Sequence, residues 1–335
     1  MIRWAAQGRT KASLILNLFG VFALGALVYI VLHTDFSLIW REVRALPALL
    51  VGLLFCLQIA TQLALNYQWF RLCRILGLKA SFGALLVVNA YGTVVDAANP
   101  GEKVGGELAR VLQLHNLLGF SAQQATSLVT IQKALSLAAL VILNGLAVFV
   151  LGDALTHWTS PFPRIAVLVV LLGLAVLLGC ALFGTERLNS RIQSIRGEGR
   201  LVGGLKRWMA RFARDTAAIG RRPGEWGRQF LLALVIWTLF PLKLQLIVSQ
   251  YARVNPLLLF AITFLAYFAA MVPLLPGGLG TFEAVMGGML MAAGLGWERA
   301  LAISLVFRFI TFWFVVLLSV LIITAAKVRG LVRKC

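Results

Sequence analysis

The sequence predicts an all-α polytopic integral membrane protein, with about six full transmembrane helices and two re-entrant Pro-Gly hairpins arranged as inverted repeats. Three observations carry that prediction. The 335 residues are 60% hydrophobic and only 13% charged, at a mean hydropathy of +0.90, whereas about a quarter of the residues in a soluble chain are charged. Several apolar runs approach the roughly 20 residues that cross a bilayer as a helix. Two further apolar stretches are each broken by Pro-Gly, and the residues around the two breaks match at a nearly constant spacing. These features exclude a soluble enzyme, a disulfide-stapled secreted domain and a disordered tail. The apolar runs are continuous and do not alternate with polar residues, which argues against a β-barrel.

Taken in order, the full crossings fall at 12–32, 46–65, 134–151, 164–184, 229–249 and 300–325. The first is read as a retained span, because an apolar core from Ala12 to Leu32 is too long for a signal peptide. The interrupted stretches are 81–118, broken at Pro100-Gly101, and 257–296, broken at Pro276-Gly277-Gly278. Between the halves lies a linker, 185–228, with eleven Lys and Arg against four acids. Its Trp208 and Phe212 are interleaved with Lys206, Arg207, Arg211 and Arg214. That pattern suits a helix lying on anionic lipid headgroups, or equally a solvated basic cytoplasmic linker.

The net charge of +19 would suggest nucleic acid for a soluble protein. Here the bases sit between apolar segments, where the positive-inside rule places them, so no nucleic-acid partner is expected. Counting Lys and Arg between spans puts 21 on one side and 4 on the other. The count closes only if each Pro-Gly region returns to the side it entered from. Both termini are then cytoplasmic, and the hairpins enter from opposite faces.

A repeat underlies this arrangement. Glu107 follows Pro100 by seven positions, and Glu283 follows Pro276 by seven. Gly119, Ala125 and Lys133 are matched by Gly294, Ala300 and Arg308 at the same steps of six and eight. The chain is therefore read as a single membrane domain, 1–335, of repeat A (12–151) and repeat B (164–325). Inverted repeats with broken helices are a transporter architecture. Irregular backbone at membrane depth must line a cavity or be covered by protein, so the hairpins are expected to meet near the midplane around a cavity.

Charged residues at membrane depth are costly, and tend to be paired and functional. Asp96, Glu102, Lys103, Glu107, Arg110 and Lys133 lie in or after the first hairpin, and Glu283 and Arg308 in or after the second. The expected pairs are Glu107 with Lys133 or Arg110, and Glu283 with Arg308. Either they pin each hairpin to the following span, or they handle a lipid headgroup. Gly101, Gly105 and Gly106, like Gly277, Gly278 and Gly280, allow tight turns or could open helices whose N–H groups receive a phosphate. Lys243, after Pro241, has no evident partner and is expected to snorkel outward. The four cysteines and three histidines lack metal-ligand spacing, so neither disulfide nor metal is indicated. No nucleophile–base set, P-loop, HExxH or GxSxG pattern is present, so neither enzyme activity nor a cofactor is expected.

Pro100-Gly101-x-x-x-Gly105-Gly106-Glu107-x-x-Arg110, then Pro276-Gly277-Gly278-Leu279-Gly280-x-x-Glu283 and the later Arg308, resemble the lysylphosphatidylglycerol synthase transmembrane family. This is the flippase-like region of bacterial multiple peptide resistance factors, which also occurs as stand-alone proteins. The resemblance runs from about residue 13 to 325 and is most specific in the second motif. It implies movement of lipids across the bacterial cytoplasmic (inner) membrane. In full-length members an attached soluble domain aminoacylates phosphatidylglycerol. With ten residues after the last span, lysyl transfer is not expected here. Lys133 stands where family members more often have Arg, which keeps the charge and loses the bidentate fork.

The leading expectation is thus a lipid translocase for a phospholipid, glycolipid or polyprenyl-linked lipid. Arg110, Lys133 and Arg308 would contact phosphate, and Glu107 and Glu283 would hold those bases or an amine. The alternatives are an accessory subunit scaffolding a lipid- or glycan-synthesis enzyme, and an integral headgroup transferase. The expected partners are membrane lipids, with anionic headgroups at 185–228.

Overall fold

The computed structural model describes residues 36–98, 104–154, 169, 172–173, 185–194, 200–271 and 278–328. The expected spans 12–32 and 164–184 lie outside these residues, apart from three positions of the second. Among the described residues all regular structure is helical.

A short amphipathic helix, α1 (Phe36–Arg44), precedes α2 (Ala48–Ile75). The first interrupted region forms two arms, α3 (Phe82–Ala98) and α4 (Val104–Leu118), and leads into α5 (Ala122–Ala154). The linker carries α6 (Thr185–Gln193) and α7 (Arg200–Gly220). The second half starts with α8 (Pro223–Val248). Two arms follow, α9 (Pro256–Ala270) and α10 (Thr281–Ala292), and then α11 (Trp297–Arg308). A π-helical turn, Phe309–Trp313, joins α11 to α12 (Phe314–Val328).

Four helical stretches are long and apolar enough to cross a membrane: Ala48–Ile75, Ala122–Phe149, Gly224–Val248 and Trp297–Val328. They contain nearly all of four expected spans and extend beyond them. Hydropathy sees only the apolar part of a helix, whereas α2 and α5 also carry buried Asn66, Gln68 and Gln132. These find polar partners: Gln68 Nε2 donates to the Gln229 carbonyl at 3.0 Å, and Gln132 Nε2 to Gln68 Oε1 at 3.1 Å. One consequence is that Lys133 lies well inside α5, not at its mouth.

Local signals set the helix ends. Pro256 opens α9, and Asn255 caps it by accepting from Leu257 N at 2.9 Å. Gly119 and Gly294, the matched glycines of the two halves, close α4 and α10 with φ of 67° and 97°. At both, the following residue reaches back to the helix: Phe120 N to the Leu114 carbonyl at 3.3 Å, and Leu295 N to the Leu290 carbonyl at 3.2 Å. The end at Gly294 is a Schellman motif, and at Gly119 the glycine N–H bonds the His115 carbonyl at 3.0 Å in the simpler left-handed ending; both need the conformation that glycine adopts without strain. Phe120 and Leu295 are buried there, which ties each turn to the core.

The helices pack in a crossed pattern. α4 packs on α5, and α10 on α11, each within its own half. The first arms cross over: α3 packs on α12, and α9 on α5. α2 and α8 contact each other between the halves. The two arms of each hairpin pack on each other, and the first arm of each also packs on the last long helix of the opposite half. The tips at which the hairpins are expected to meet, 99–103 and 272–277, lie outside the described residues.

The linker also takes a definite form. α7 docks on α5 and α6, with Met209 and Phe212 in the core that contains Trp69, Leu72 and Leu128. Ser127 Oγ donates to Asp215 at 2.6 Å, and Arg211 holds the same carboxylate at 2.9 Å. A plain solvated linker does not describe this segment, because its apolar face is covered by the bundle.

Candidate functional site

The first hairpin brings four charges together. Glu107, in the first turn of α4, receives Lys133 Nζ at 2.8 Å and faces Arg110 Nη1 at 3.2 Å. Arg110 also reaches Asp96 of α3 at 3.4 Å. The other Asp96 oxygen accepts the Gly106 backbone N–H at 2.9 Å, a side-chain cap on the start of α4. Two acids and two bases cancel, and the side chains are 12–26% exposed. Glycine makes room for the group: a Cβ at Gly106 would fall on the Asp96 carboxyl, and one at Gly92 on the Arg110 guanidinium. The network joins α3, α4 and α5, and Asp96 takes part although the repeat pattern did not single it out.

The second hairpin builds a different site. Gly280 (φ 77°) precedes α10, and its N–H donates to Glu283 Oε2 at 2.8 Å. The other oxygen, Oε1, stands 3.8 Å from Arg308 Nε, an ion pair beyond hydrogen-bond length. Arg308 is 3% exposed and held between rings, with Cζ 4.6 Å from the Phe282 centroid and 4.2 Å from that of Phe312. Such guanidinium–ring contacts are worth about 2 kcal/mol or more when desolvated. Immediately after Arg308 comes the π-turn, a feature often found at functional sites.

This second pair opens onto a cavity of about 650 Å³. Its walls are apolar, with Trp40 and Val43 of α1, Phe55 of α2, and Leu305, Phe309 and Trp313 among the lining residues; Gly280, Glu283 and Arg308 contribute the polar end. Arg299 of α11 holds α1 through Glu42 at 3.2 Å, and Tyr251 donates to the Glu42 carbonyl at 2.7 Å. Burial pushes the Tyr251 hydroxyl above its usual range, and the nearby Glu42 charge adds to that.

All five charged candidates are thus found in two groups, Glu107 with Arg110 and Lys133, and Glu283 with Arg308. Gly105 and Gly106 sit in the first turn of α4, and Gly278 and Gly280 have positive φ. Pro100, Gly101, Glu102, Lys103, Pro276 and Gly277 lie outside the described residues. Two corrections follow. The amides of Gly106 and Gly280 are occupied by the protein's own carboxylates, so these two N–H groups are not free for phosphate. Lys243 does not snorkel: it is fully buried and donates to Gln58 Oε1 and, at 3.1 Å, to Thr61 Oγ1 of α2. Its partners are neutral and 182–185 residues away, so no charge pattern announced them. Among the described residues there is no cluster of His, Cys, Asp or Glu that could hold a metal.

Residues 15–319 match the family model described as the lysylphosphatidylglycerol synthase TM region. The chain belongs to this family. It is also similar to a protein of Methanothermobacter thermautotrophicus described as a UPF0104 membrane protein. The two are 23% identical over 312 residues, which cover 90% of this chain and 91% of the relative. The chain is accordingly a multi-pass membrane protein of a lipid-related family.

Proposed function

We propose that this family member is a lipid translocase of the cytoplasmic membrane, with both termini on the cytoplasmic side. The observation that carries the reading is the cavity at the second hairpin. Apolar walls suit acyl chains, and one polar end with a loosely held ion pair suits a headgroup. Arg308 is the phosphate contact. Glu283, 3.8 Å away, either releases Arg308 to a phosphate or receives an amine. The broken arms and their crossed packing support movement of one half against the other, as in transporters with broken helices and inverted repeats. The Asp96–Glu107–Arg110–Lys133 group, being neutral and internally bonded, serves in this reading as the clamp that holds the first hairpin.

The test is reconstitution in phosphatidylglycerol–phosphatidylcholine vesicles with a trace of fluorescent phosphatidylglycerol and a membrane-impermeant reductant. Wild type should expose inner-leaflet label, and Arg308→Leu should not. Inertness until a second protein is added would favour the scaffold, and a change in lipid mass would mean a transferase.

A further inference from the structure

We propose that Lys243 is the proton-binding site that couples lipid movement to a proton gradient, with the Gln58 amide able to serve both its charged and its neutral form. This deepens the translocase reading and rests on it. Lys243 lies five residues from the end of α8, inside the membrane-spanning stretch Gly224–Val248, and is 0% exposed. Its Nζ donates to Gln58 Oε1 and Thr61 Oγ1 and stands 4.4 Å from the Phe240 ring centroid. None of these partners carries a charge.

A buried cation normally sits against a carboxylate. No ion pair reaches Lys243 among the described residues, and the following charged groups on α8 and the helices packed against it are paired elsewhere. Glu225, at the other end of α8, holds Arg71 of α2 and Arg228. Lys133 of α5 is paired with Glu107, and Asp215 of α7 with Arg211. On α11, Arg299 is paired with Glu42 and Arg308 with Glu283. Cys56, two residues from Gln58, is exposed on the far side of α2. Tyr267 of α9 meets Phe240 edge to face, with ring centroids 5.2 Å apart.

Neutral partners are what reversible proton binding needs. A carboxylate would hold the proton by Coulomb attraction, whereas an amide offers both an acceptor and a donor. For the ammonium form, Gln58 Oε1 and Thr61 Oγ1 accept, the Thr61 hydroxyl hydrogen being directed to the Leu57 carbonyl at 2.7 Å. For the neutral amine, the nitrogen lone pair needs a donor. Gln58 Nε2 is buried and has no hydrogen-bond partner among the described residues, so it can take that part by turning the amide. The step balances simply: a hydronium ion on one side breaks one O–H bond as an N–H bond forms at the neutral amine, and that N–H bond later breaks toward a water on the other side, which leaves as hydronium.

Position connects this site to transport. The Lys243 bonds join α8 to α2, across the contact between the halves. The ring series Phe240–Tyr267–Phe282, at 5.2 and 5.1 Å, continues to Arg308 at the cavity. A charge that comes and goes at Lys243 therefore biases the seam and the aromatic cluster that holds Arg308.

The experiment uses the same vesicles with an imposed pH difference and fluorescent phosphatidylglycerol. Wild type should enrich the label in one leaflet and reverse the enrichment when the gradient is reversed. Lys243→Met should show the same distribution with and without the gradient, and a wild-type response in this variant overturns the proposal. If Lys243→Met does not fold, Gln58→Glu decides. Its carboxylate should lock the proton and abolish the response, and a retained response overturns the proposal. If wild type moves no lipid, the translocase reading fails and proton binding is read alone. The melting temperature of detergent-solubilised wild type minus that of the folded variant should then change between about pH 5 and pH 9. A flat difference shows no proton exchange at Lys243 and overturns the proposal.

Discussion

At the scale of single residues, the two hairpins use charge in opposite ways. The first site is crowded and neutral, and its glycines are there for space. Gly106→Ala should therefore cost about 1–3 kcal/mol, because the added Cβ meets the Asp96 carboxyl that caps α4. Gly145→Ala in α5, where a Cβ meets nothing within contact distance, should be neutral or stabilising by up to about 1 kcal/mol. Melting temperatures in detergent check both, and an equal response at the two positions would remove the spatial argument. The second site is looser. Losing Glu283 or Arg308 alone leaves a buried charge, at about 3–5 kcal/mol. Glu283→Gln with Arg308→Leu should restore most of that stability while lipid translocation stays absent. A stable and active double variant would mean that the pair only pins the hairpin. The partners Glu107–Lys133 and Glu283–Arg308 were legible in the sequence, because a repeat puts the same residue types at the same steps. The pairing of Asp96 with Arg110, the close approach at Gly92 and the rings on Arg308 were not. Asp96 and Gly92 lie on the other arm at spacings the repeat does not mark, and Phe312, one turn after Arg308, reads in the sequence as one more apolar position of a membrane helix.

At the scale of elements, hydropathy located the four described crossings and missed their ends. Buried Asn66, Gln68 and Gln132 continue α2 and α5 past the apolar windows, and their compensation is tertiary. The π-turn Phe309–Trp313 left no mark in the hydropathy either, since it adds an apolar residue to an apolar helix. Its effect is on direction: it sets Phe312 over Arg308 while α12 keeps its contact with α3. Removing one residue, Thr311, should convert the turn to ordinary α-helix. The variant should insert and keep a melting temperature close to wild type, because α12 retains its face toward α3. Translocation should fall at least tenfold, a change of about 1.4 kcal/mol in the barrier, as Arg308 loses its upper ring. Unchanged transport would make the π-turn a packing accommodation alone.

At the scale of the whole molecule, the claim with the widest reach is that the halves are oppositely oriented. It starts from the Lys and Arg count of 21 against 4, which closes only if both interrupted regions return to their own side. The crossed packing fits such a pair of halves. α3 lies on α12 and α9 on α5, so each first arm is held by the other half's last long helix. Two exposed positions separate the faces. Trp40, on α1, is 55% exposed and precedes α2, whereas Leu205, on α7, is 45% exposed and belongs to the basic segment. In a background without native cysteines, Trp40→Cys should react with an impermeant thiol reagent added outside intact cells. Leu205→Cys should react only after permeabilisation. Labelling of both from outside would place 185–228 on the outer face, against eleven Lys and Arg. The two hairpins would then enter from the same side. A translocase built on opposed halves would lose its geometric basis, even though the apolar cavity with Glu283 and Arg308 would still be there to bind a lipid.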